Sequence, residues 1–543
     1  MDLASPNGDR ASDNGRDVHT DRLPEMVNFP LGVLVRHRAR LLDPSTAVRS
    51  PDAPRPAPTA YRADTLLVPI RQALDAETIA RYNKALDPLG VEMVVVLPRS
   101  ERWAAAMRRI NPDFPIPVLM RLKDDAITDR APDPWAALVA LRRSVGVDDL
   151  NGVGLEHLAM AASVEIEGAP AGQGPSVADS QGERVALSTG DRNPVRIFLP
   201  RPARRDPATL PALRRPAVAV LDTGIGPHPW LPVTGADPVV EVSAEFQGLV
   251  ADLEATLAEQ AGDTVPSLAN PREQQDVLQP LLGLIDSHSG HGTFVSGLVL
   301  QNCPDVRVLS LRVLHTDGIC TDVSVLLGLE WLRDRVQTGI DKKRPELLVD
   351  VVSLSLGFYP ERTDHTTSQL LAGAVARLTD LGVVVVAAAG NDATTRPFVP
   401  AALALNADGS NGGNPLLVAV GALNAAGNSV AAFSNGGDWI HRWAPGNAVV
   451  STVPVWQGSR QPSLQLPDGT RIRATPDEDD LTTGFAVWAG TSFATPVVSG
   501  LLATEFACLA DSFEPVARVR RAKSALAAVD AKLTANPWRN PMS

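Results

Sequence analysis

Four short, largely apolar stretches dominate the second half of this chain: Ala217–Leu221, Val306–Val313, Leu347–Leu356 and Val383–Ala389. A strand with one wet face alternates apolar and polar residues, whereas a nearly continuous apolar run is covered on both sides. Helical patterns separate the runs, notably at Val323–Arg335 and Ser368–Asp380. Buried strands joined by helical crossovers make an α/β fold with a mostly parallel sheet between helices, beginning near Pro216. In such sheets reacting groups gather at the carboxyl ends of the strands. The residues that end these runs are therefore the first to test for chemistry.

Asp222 directly follows the first run and opens Asp222-Thr223-Gly224. A carboxylate there can orient a partner, although alone it is a common turn acid. Asn391 ends Val385-Val386-Ala387-Ala388-Ala389-Gly390-Asn391, where its amide can donate; alone it is a turn asparagine. His291 lies in the glycine-flanked stretch His288–Gly297 and opens an apolar, helix-like segment. Histidine titrates near pH ~6.5 and suits a general base. Asp286, His288 and His291 can also be read as metal ligands, but neither a His-Glu-x-x-His helix nor a cysteine-rich zinc pattern supports that. Ser492 sits in Gly490-Thr491-Ser492-Phe493-Ala494-Thr495-Pro496, between a small-residue turn and an apolar helix running through Leu502. Pro496 falls where a first helical turn accepts it. A serine at a helix start lies beside free backbone N–H groups, which suits a nucleophile whose product is an oxyanion.

Each signal is weak alone, but their order is specific. The chain resembles the subtilisin-like serine proteases (subtilases) over about residues 216 to 510. The resemblance rests on Asp222-Thr223-Gly224, His291-Gly292-Thr293-x-Val295-x-Gly297, Ser355-Leu356-Gly357, Ala388-Ala389-Gly390-Asn391 and Gly490-Thr491-Ser492-x-Ala494-x-Pro496. It implies a three-layer α/β fold and an acyl-enzyme mechanism. Ser492 is the implied nucleophile, His291 its base and Asp222 the group that orients His291. The Ser492 N–H and the Asn391 amide are the implied oxyanion donors. Leu354, Ser355, Leu356 and Gly357 are the implied edge that pairs with substrate backbone; with Ala388, Ala389 and Gly390 they wall the specificity pocket. His288 is a rival to His291, but the Gly-Thr-x-Val-x-Gly that follows selects His291. The chemistry needs no cofactor. The glycine- and asparagine-bearing loop after His291 that often holds calcium in the family is missing, so structural calcium is not expected there. The acidic run Asp477-Glu478-Asp479-Asp480 is an alternative calcium ligand set.

Two stretches exceed the simplest subtilases. Asp222 and His291 are 291 − 222 = 69 residues apart. The excess includes a helix-like segment within Val250–Leu284, read either as lying near the cleft or as a surface insertion. A second excess, between Val455 and Val487, is read as a lid or a solvated loop.

The chain has 543 residues, too many for one ordinary domain. Residues 1–59 read as a disordered or extended segment with a Pro-rich linker at Ser45–Thr59. Residues 60–200 read as a small α/β or α+β domain, 201–215 as an Arg/Pro-rich solvated linker open to clipping, and 216–543 as the catalytic domain. Within the small domain the expected strands are Thr65–Ile70, Val91–Leu97, Ile116–Leu122 and Val195–Leu199, and Leu31–Leu42 before it. Its expected helices are Ala76–Leu86, Glu101–Ile110, Trp135–Val145 and Gly154–Ala162, with a loop over Gly168–Asp191.

The formal charge of −12 argues against a nucleic-acid partner. No apolar run is long enough for a membrane span, and Met1–Glu25 lacks the apolar core of a signal peptide, so a cytoplasmic location is expected. Cys303, Cys320 and Cys508 make no disulfide framework. A protease acting on protein or peptide substrates in that compartment needs restraint, by its own N-terminal region or by a regulatory protein partner. The alternatives are a catalytically silent peptide-binding scaffold on the same fold, or a hydrolase of non-protein amides or esters. The complete residue triad disfavours the first, and the strand-like edge disfavours the second.

Overall fold

The computed structural model describes residues 29–50, 54–126, 131–146, 148–163, 176–178, 184–186, 192–261, 268–279, 281, 283–361, 369–405, 413–458, 463–465, 472–474, 477 and 479–534. Most of the Gly168–Asp191 loop, and Met1–Glu25, lie outside the described residues.

The N-terminal part begins with helix α1 (Leu31–Arg36) and strand β1 (Ala39–Leu42). Leu31–Leu42 is thus two elements and not the single strand expected; Arg38, at φ 48°, turns the chain between them. Then follow β2 (Thr59–Pro69), α2 (Ile70–Leu74), α3 (Ala76–Leu86), β3 (Val91–Val94), α4 (Glu101–Ile110), β4 (Pro115–Leu122), α5 (Pro134–Ser144) and β5 (Gly154–Ala161). Asp75, Ser100 and Asp133 cap α3, α4 and α5 by accepting from backbone N–H groups of the first turn. On α4 the residues Trp103, Ala106, Met107 and Ile110 form a buried helical stripe. The strands pair antiparallel in the order β5-β2-β4-β3, a split β-α-β arrangement of α+β type.

β5 replaces the helix expected over Gly154–Ala162. Its leucines, alanines, Glu156 and Met160 favour helix locally, but three neighbouring strands take its backbone groups. One is β2; the other two belong to the second half of the chain.

That second half is built on β6 (Ala217–Asp222), β7 (Val240–Val242), α6 (Ala244–Ala261), α7 (His291–Asn302), β8 (Arg307–Arg312), β9 (Ile319–Thr321), α8 (Asp322–Asp341), β10 (Val351–Leu354), β11 (Leu356–Gly357), α9 (Gln369–Thr379), β12 (Val384–Ala388), β13 (Leu417–Leu423), β14 (Arg442–Pro445), α10 (Thr491–Ala507) and α11 (Pro515–Thr534). The central sheet runs β7-β8-β6-β10-β12-β13-β14, every pair parallel. The apolar runs are β6, β8, β10 and β12, and β6 shows why they are continuous. Ala219 and Leu221 pack into one apolar cluster with α8, while Val218 and Val220 pack into another with α7 and α10. Both faces are therefore dry, and the helices form the two outer layers. β6 sits where the chain order reverses across the sheet, so its carboxyl end opens on a crevice.

The segment before β6 departs from expectation. Residues 195–199 form no strand; Asn193–Pro194 instead pairs with Phe485–Trp488, and the Val195 N–H donates to the Phe485 carbonyl. Arg201–Arg215 is solvated only in part: Arg201, Arg205 and Leu213 are exposed, whereas Leu210, Arg214 and Arg215 are buried. Arg204 donates to the Pro304 and Val306 carbonyls, Arg215 binds Asp237, and Arg214 binds Asp350 and Asp511. Among the described residues, no helix is long and apolar enough to cross a membrane.

Candidate active site

The turn Asp222-Thr223-Gly224 at the end of β6 meets the start of α7. A Cβ on Gly292 would lie 2.2 Å from the Gly224 carbonyl, so only glycine lets the helix approach this closely. That approach sets His291 Nδ1 2.7 Å from Asp222 Oδ1. Asp222 Oδ1 also accepts from the Thr223 N–H at 2.7 Å, and the Gly292 N–H donates to Thr223 Oγ1 at 3.0 Å. The His291 ring is fully buried against Trp488 and Phe493, with ring centroids 5.6 and 5.3 Å away. Its Nε2 is buried and has no hydrogen-bond partner among the described residues. The rival His288 does not take the Asp222 carboxylate; burial pushes its pKa down to about 3, and its ring lies 5.8 Å from that of His291. Asp286, the third member of the metal reading, binds Arg36 and Thr316.

Ser492 is the second residue of α10. Pro496 lies one turn further in than the sequence suggests, inside the helix. It has no N–H to give the Ser492 carbonyl. Ser355 Oγ supplies the missing donor at 2.8 Å, and Ser492 Oγ donates to the Ser355 carbonyl at 2.8 Å. The Ser492 hydroxyl is therefore hydrogen-bonded to Ser355, not to His291. Asn391 is fixed through its Oδ1, which accepts from the Thr491 N–H and hydroxyl, each at 2.9 Å. This leaves Asn391 Nδ2 buried and without a hydrogen-bond partner among the described residues. Gly390, at φ 94°, is confined by Asn435 Nδ2, which would lie 2.4 Å from an added Cβ. The Gly390 N–H donates to Thr491 Oγ1 at 3.0 Å, so Ala388–Gly390 runs directly beside the start of α10.

The cleft is occupied by β5. Its last residues run antiparallel between β9 and β11: Met160 is paired with both Ile319 and Gly357. The Ala161 N–H donates to the Gly318 carbonyl at 2.8 Å and the Ala162 N–H to the Ser355 carbonyl at 3.0 Å. The Ala162 carbonyl accepts from the Ser492 N–H at 2.9 Å. Gly490 is glycine because this strand passes over it; an added Cβ would lie 2.6 Å from the Ala162 oxygen. Ser355, Leu356 and Gly357 thus lie along β5. Leu354 does not, since it is buried in the central sheet between Leu221 and Ala387. The opposite edge, β9, was not anticipated; the short β-prone Ile319-Cys320-Thr321 after Gly318 is its only local signal.

α6 faces the N-terminal part, where Asp252 binds Ser100 and Arg102. The chain returning from α6 puts Glu273 under the active site. Its Oε1 accepts from the Gly290 N–H at 2.7 Å, and burial pushes its pKa up to about 8. Sequence reading missed Glu273, whose neighbours carry no motif. In the second stretch, Asp479 of the acidic run binds Arg192, which also lies over the Trp488 ring. Among the described residues no group of three or more His, Cys, Asp or Glu is placed to hold a metal ion.

Comparison with known proteins agrees with this architecture. The model of the subtilase family matches residues 214–521, more than half of the chain. The chain belongs to the subtilase family. It is 26% identical over 303 residues to serine protease AprX of Bacillus subtilis, covering 53% of this chain and 55% of that protein. It is 29% identical over 225 residues to a thermophilic serine proteinase of Bacillus sp. (strain AK1), covering 40% and 42%. To subtilisin DY of Bacillus licheniformis it is 32% identical over 175 residues, covering 31% and 54%. The matches thus span about half the length of these relatives.

Proposed function

We propose that the chain is a serine endopeptidase made as a precursor that fills its own cleft. The observation that carries this reading is the Ala162 carbonyl on the Ser492 N–H, in a strand held on both edges like a bound peptide. The intact bond Ala162–Ser163 is the first substrate. In this mechanism Ser492 Oγ leaves the Ser355 carbonyl, turns to His291 Nε2, passes its proton there and attacks the Ala162 carbonyl carbon. Negative charge on that oxygen is met by the Ser492 N–H and Asn391 Nδ2. The C–N bond breaks as His291 returns the proton to the Ser163 nitrogen. A water that has lost a proton to His291 then hydrolyses the acyl-enzyme, and Ser492 recovers its proton. Asp222 holds His291 through Nδ1 and stabilises its protonated ring. Cutting here leaves Arg204, Arg214 and Arg215 with the catalytic unit, so self-cleavage belongs at Ala162–Ser163 and not in the Arg/Pro segment.

Asn391→Ala removes one oxyanion donor while leaving the Asp222–His291 pair in place. The expected result in steady-state kinetics is a fall in kcat of ~10²–10³ with a small change in KM; the magnitude is that measured in subtilisin, a member of this family. The silent-scaffold alternative draws on the Ser492 hydroxyl resting on Ser355. A fluorophosphonate reagent decides between them: it is expected to label the self-cleaved wild type but not Ser492→Ala. A wild type that neither cuts Ala162–Ser163 nor takes the label would favour the scaffold.

After cleavage the N-terminal part is held by the strand pairing of β5, by an apolar cluster shared with the catalytic unit, and by charge. Arg36 binds Asp276 and Asp286, and Arg109 binds Glu245 and Asp334. His157 on β5 lies between Asp322 and Glu361. Burial opposes its charge, but the two carboxylates outweigh burial and push its pKa up to about 10. A pKa raised on association means a contribution that is complete below the free value, ~6.5, and is lost as pH rises through about 10. The two fragments are therefore expected to co-migrate in gel filtration at pH 6, with affinity falling about tenfold or more by pH 9.5. His157→Gln should flatten that dependence. An equally steep loss in this variant would assign it to other groups.

A further inference from the structure

His157 stands five residues before Ala162, and the catalytic unit holds it in a formed site. Its Nδ1 is 3.0 Å from Asp322 Oδ2 and its Nε2 2.7 Å from Glu361 Oε2. The ring stacks on Phe358, with centroids 4.6 Å apart and planes 18° from parallel. Asp322 opens α8 directly after β9, and Phe358 and Glu361 follow β11, so the two edges that grip the strand also supply the site. The side chains of Asp322 and Glu361 are 10% and 0% exposed. Each carries a second carboxylate oxygen that is buried and has no hydrogen-bond partner among the described residues. An imidazolium has only two N–H groups and leaves those oxygens unmet. A guanidinium offers five donors in a planar fork and also stacks on an aromatic face.

We propose that Asp322, Glu361 and Phe358 form a specificity subsite for a cationic side chain, arginine foremost, five residues ahead of the residue whose carbonyl is attacked in a peptide substrate. This rests on the reading that β5 lies where substrate lies. While the N-terminal part is bound, His157 fills the site. Once it leaves, the two carboxylates face the groove, and a substrate with a cation at this position gains charge-assisted hydrogen bonds that a neutral one cannot make.

The test uses the full chain after self-cleavage and peptides of the form Xaa-Leu-Ala-Met-Ala-Ala-Ser, which follow residues 157–163 with Xaa arginine, glutamine or glutamate in place of the histidine. The expected kcat/KM for arginine exceeds that for glutamine by about 10- to 100-fold, with glutamate lowest. Asp322→Asn combined with Glu361→Gln should bring the arginine-to-glutamine ratio close to one. A ratio near one in the wild type, or an undiminished ratio in the double variant, overturns the subsite while leaving the protease reading intact. Hydrolysis of no peptide, with no cut at Ala162–Ser163, removes the protease reading and this inference with it. Cleavage of the chain's own bond, followed by mass, gives a second measurement. His157→Arg is expected to cut at the wild-type rate or faster, and His157→Glu about tenfold more slowly. Equal rates for these two would also overturn the subsite.

Discussion

Ser492→Ala is expected to abolish hydrolysis of added peptides, by about 10⁶ in kcat, the loss measured for the same change in subtilisin. It is also expected to keep the chain at its full mass of 57.5 kDa. Both effects follow from one position. Ser492 is held at the start of α10 by its exchange with Ser355, and its N–H already carries the Ala162 carbonyl. The substitution removes the hydroxyl and leaves that N–H in place. β5 should therefore stay seated, and the variant should fold and elute as an uncut chain. Wild type is expected to yield fragments ending at Ala162 and beginning at Ser163, identified by intact mass. A wild-type chain cut first within Arg201–Arg215, or a Ser492→Ala chain that still cuts itself, would contradict the mechanism.

How much of this could be read beforehand depended on how local the signal was. Asp222, Asn391 and Ser492 were legible because each ends a buried strand or opens a buried helix, and the geometry that matters lies within a few residues. The pairing of His291 with Asp222 was legible only through the family resemblance; the structure shows that it depends on Gly292, whose small size permits the close approach of α7. β5 was not legible. Its composition favours helix, and its extended form exists only because β2, β9 and β11 compete for its backbone. Met160 finds Ile319 at a separation of 319 − 160 = 159 residues. No periodicity within β5 reports such partners. Glu273 escaped for the same reason: its task is set by the Gly290 N–H, reached only after the chain has folded back.

The Arg/Pro segment is the sharpest case of a misleading composition, and its largest consequence is for stability. Asp350 is fully buried just before β10. It accepts from Arg214 Nη1 and Nη2 at 2.8 Å each, from Arg521 Nη1 at 2.6 Å and from the Ala217 N–H at 2.9 Å. One carboxylate thus ties the segment entering β6 to the last helix, α11. Burial alone would raise its pKa, but Arg214 and Arg521 hold it well below the usual carboxylate range. The sign is that of a depressed acid: the contribution is complete above about pH 4 and is lost only as pH falls through the lowered value. Asp350→Ala strands two guanidiniums that are each more than nine-tenths buried. Breaking a buried pair from one side costs about 3–5 kcal/mol. In the Ser492→Ala background, which cannot digest itself, urea unfolding at pH 7 should show a loss of that size, and the difference from Asp350 should shrink in strong acid. A loss below about 1 kcal/mol, the range of an exposed ion pair, would mean that the arginines are held by Asp511 and by backbone carbonyls instead. The same clamp explains why the first cut belongs upstream. A catalytic unit released at Ser163 keeps Arg214 on Asp350, whereas one released after Arg214 would lose it.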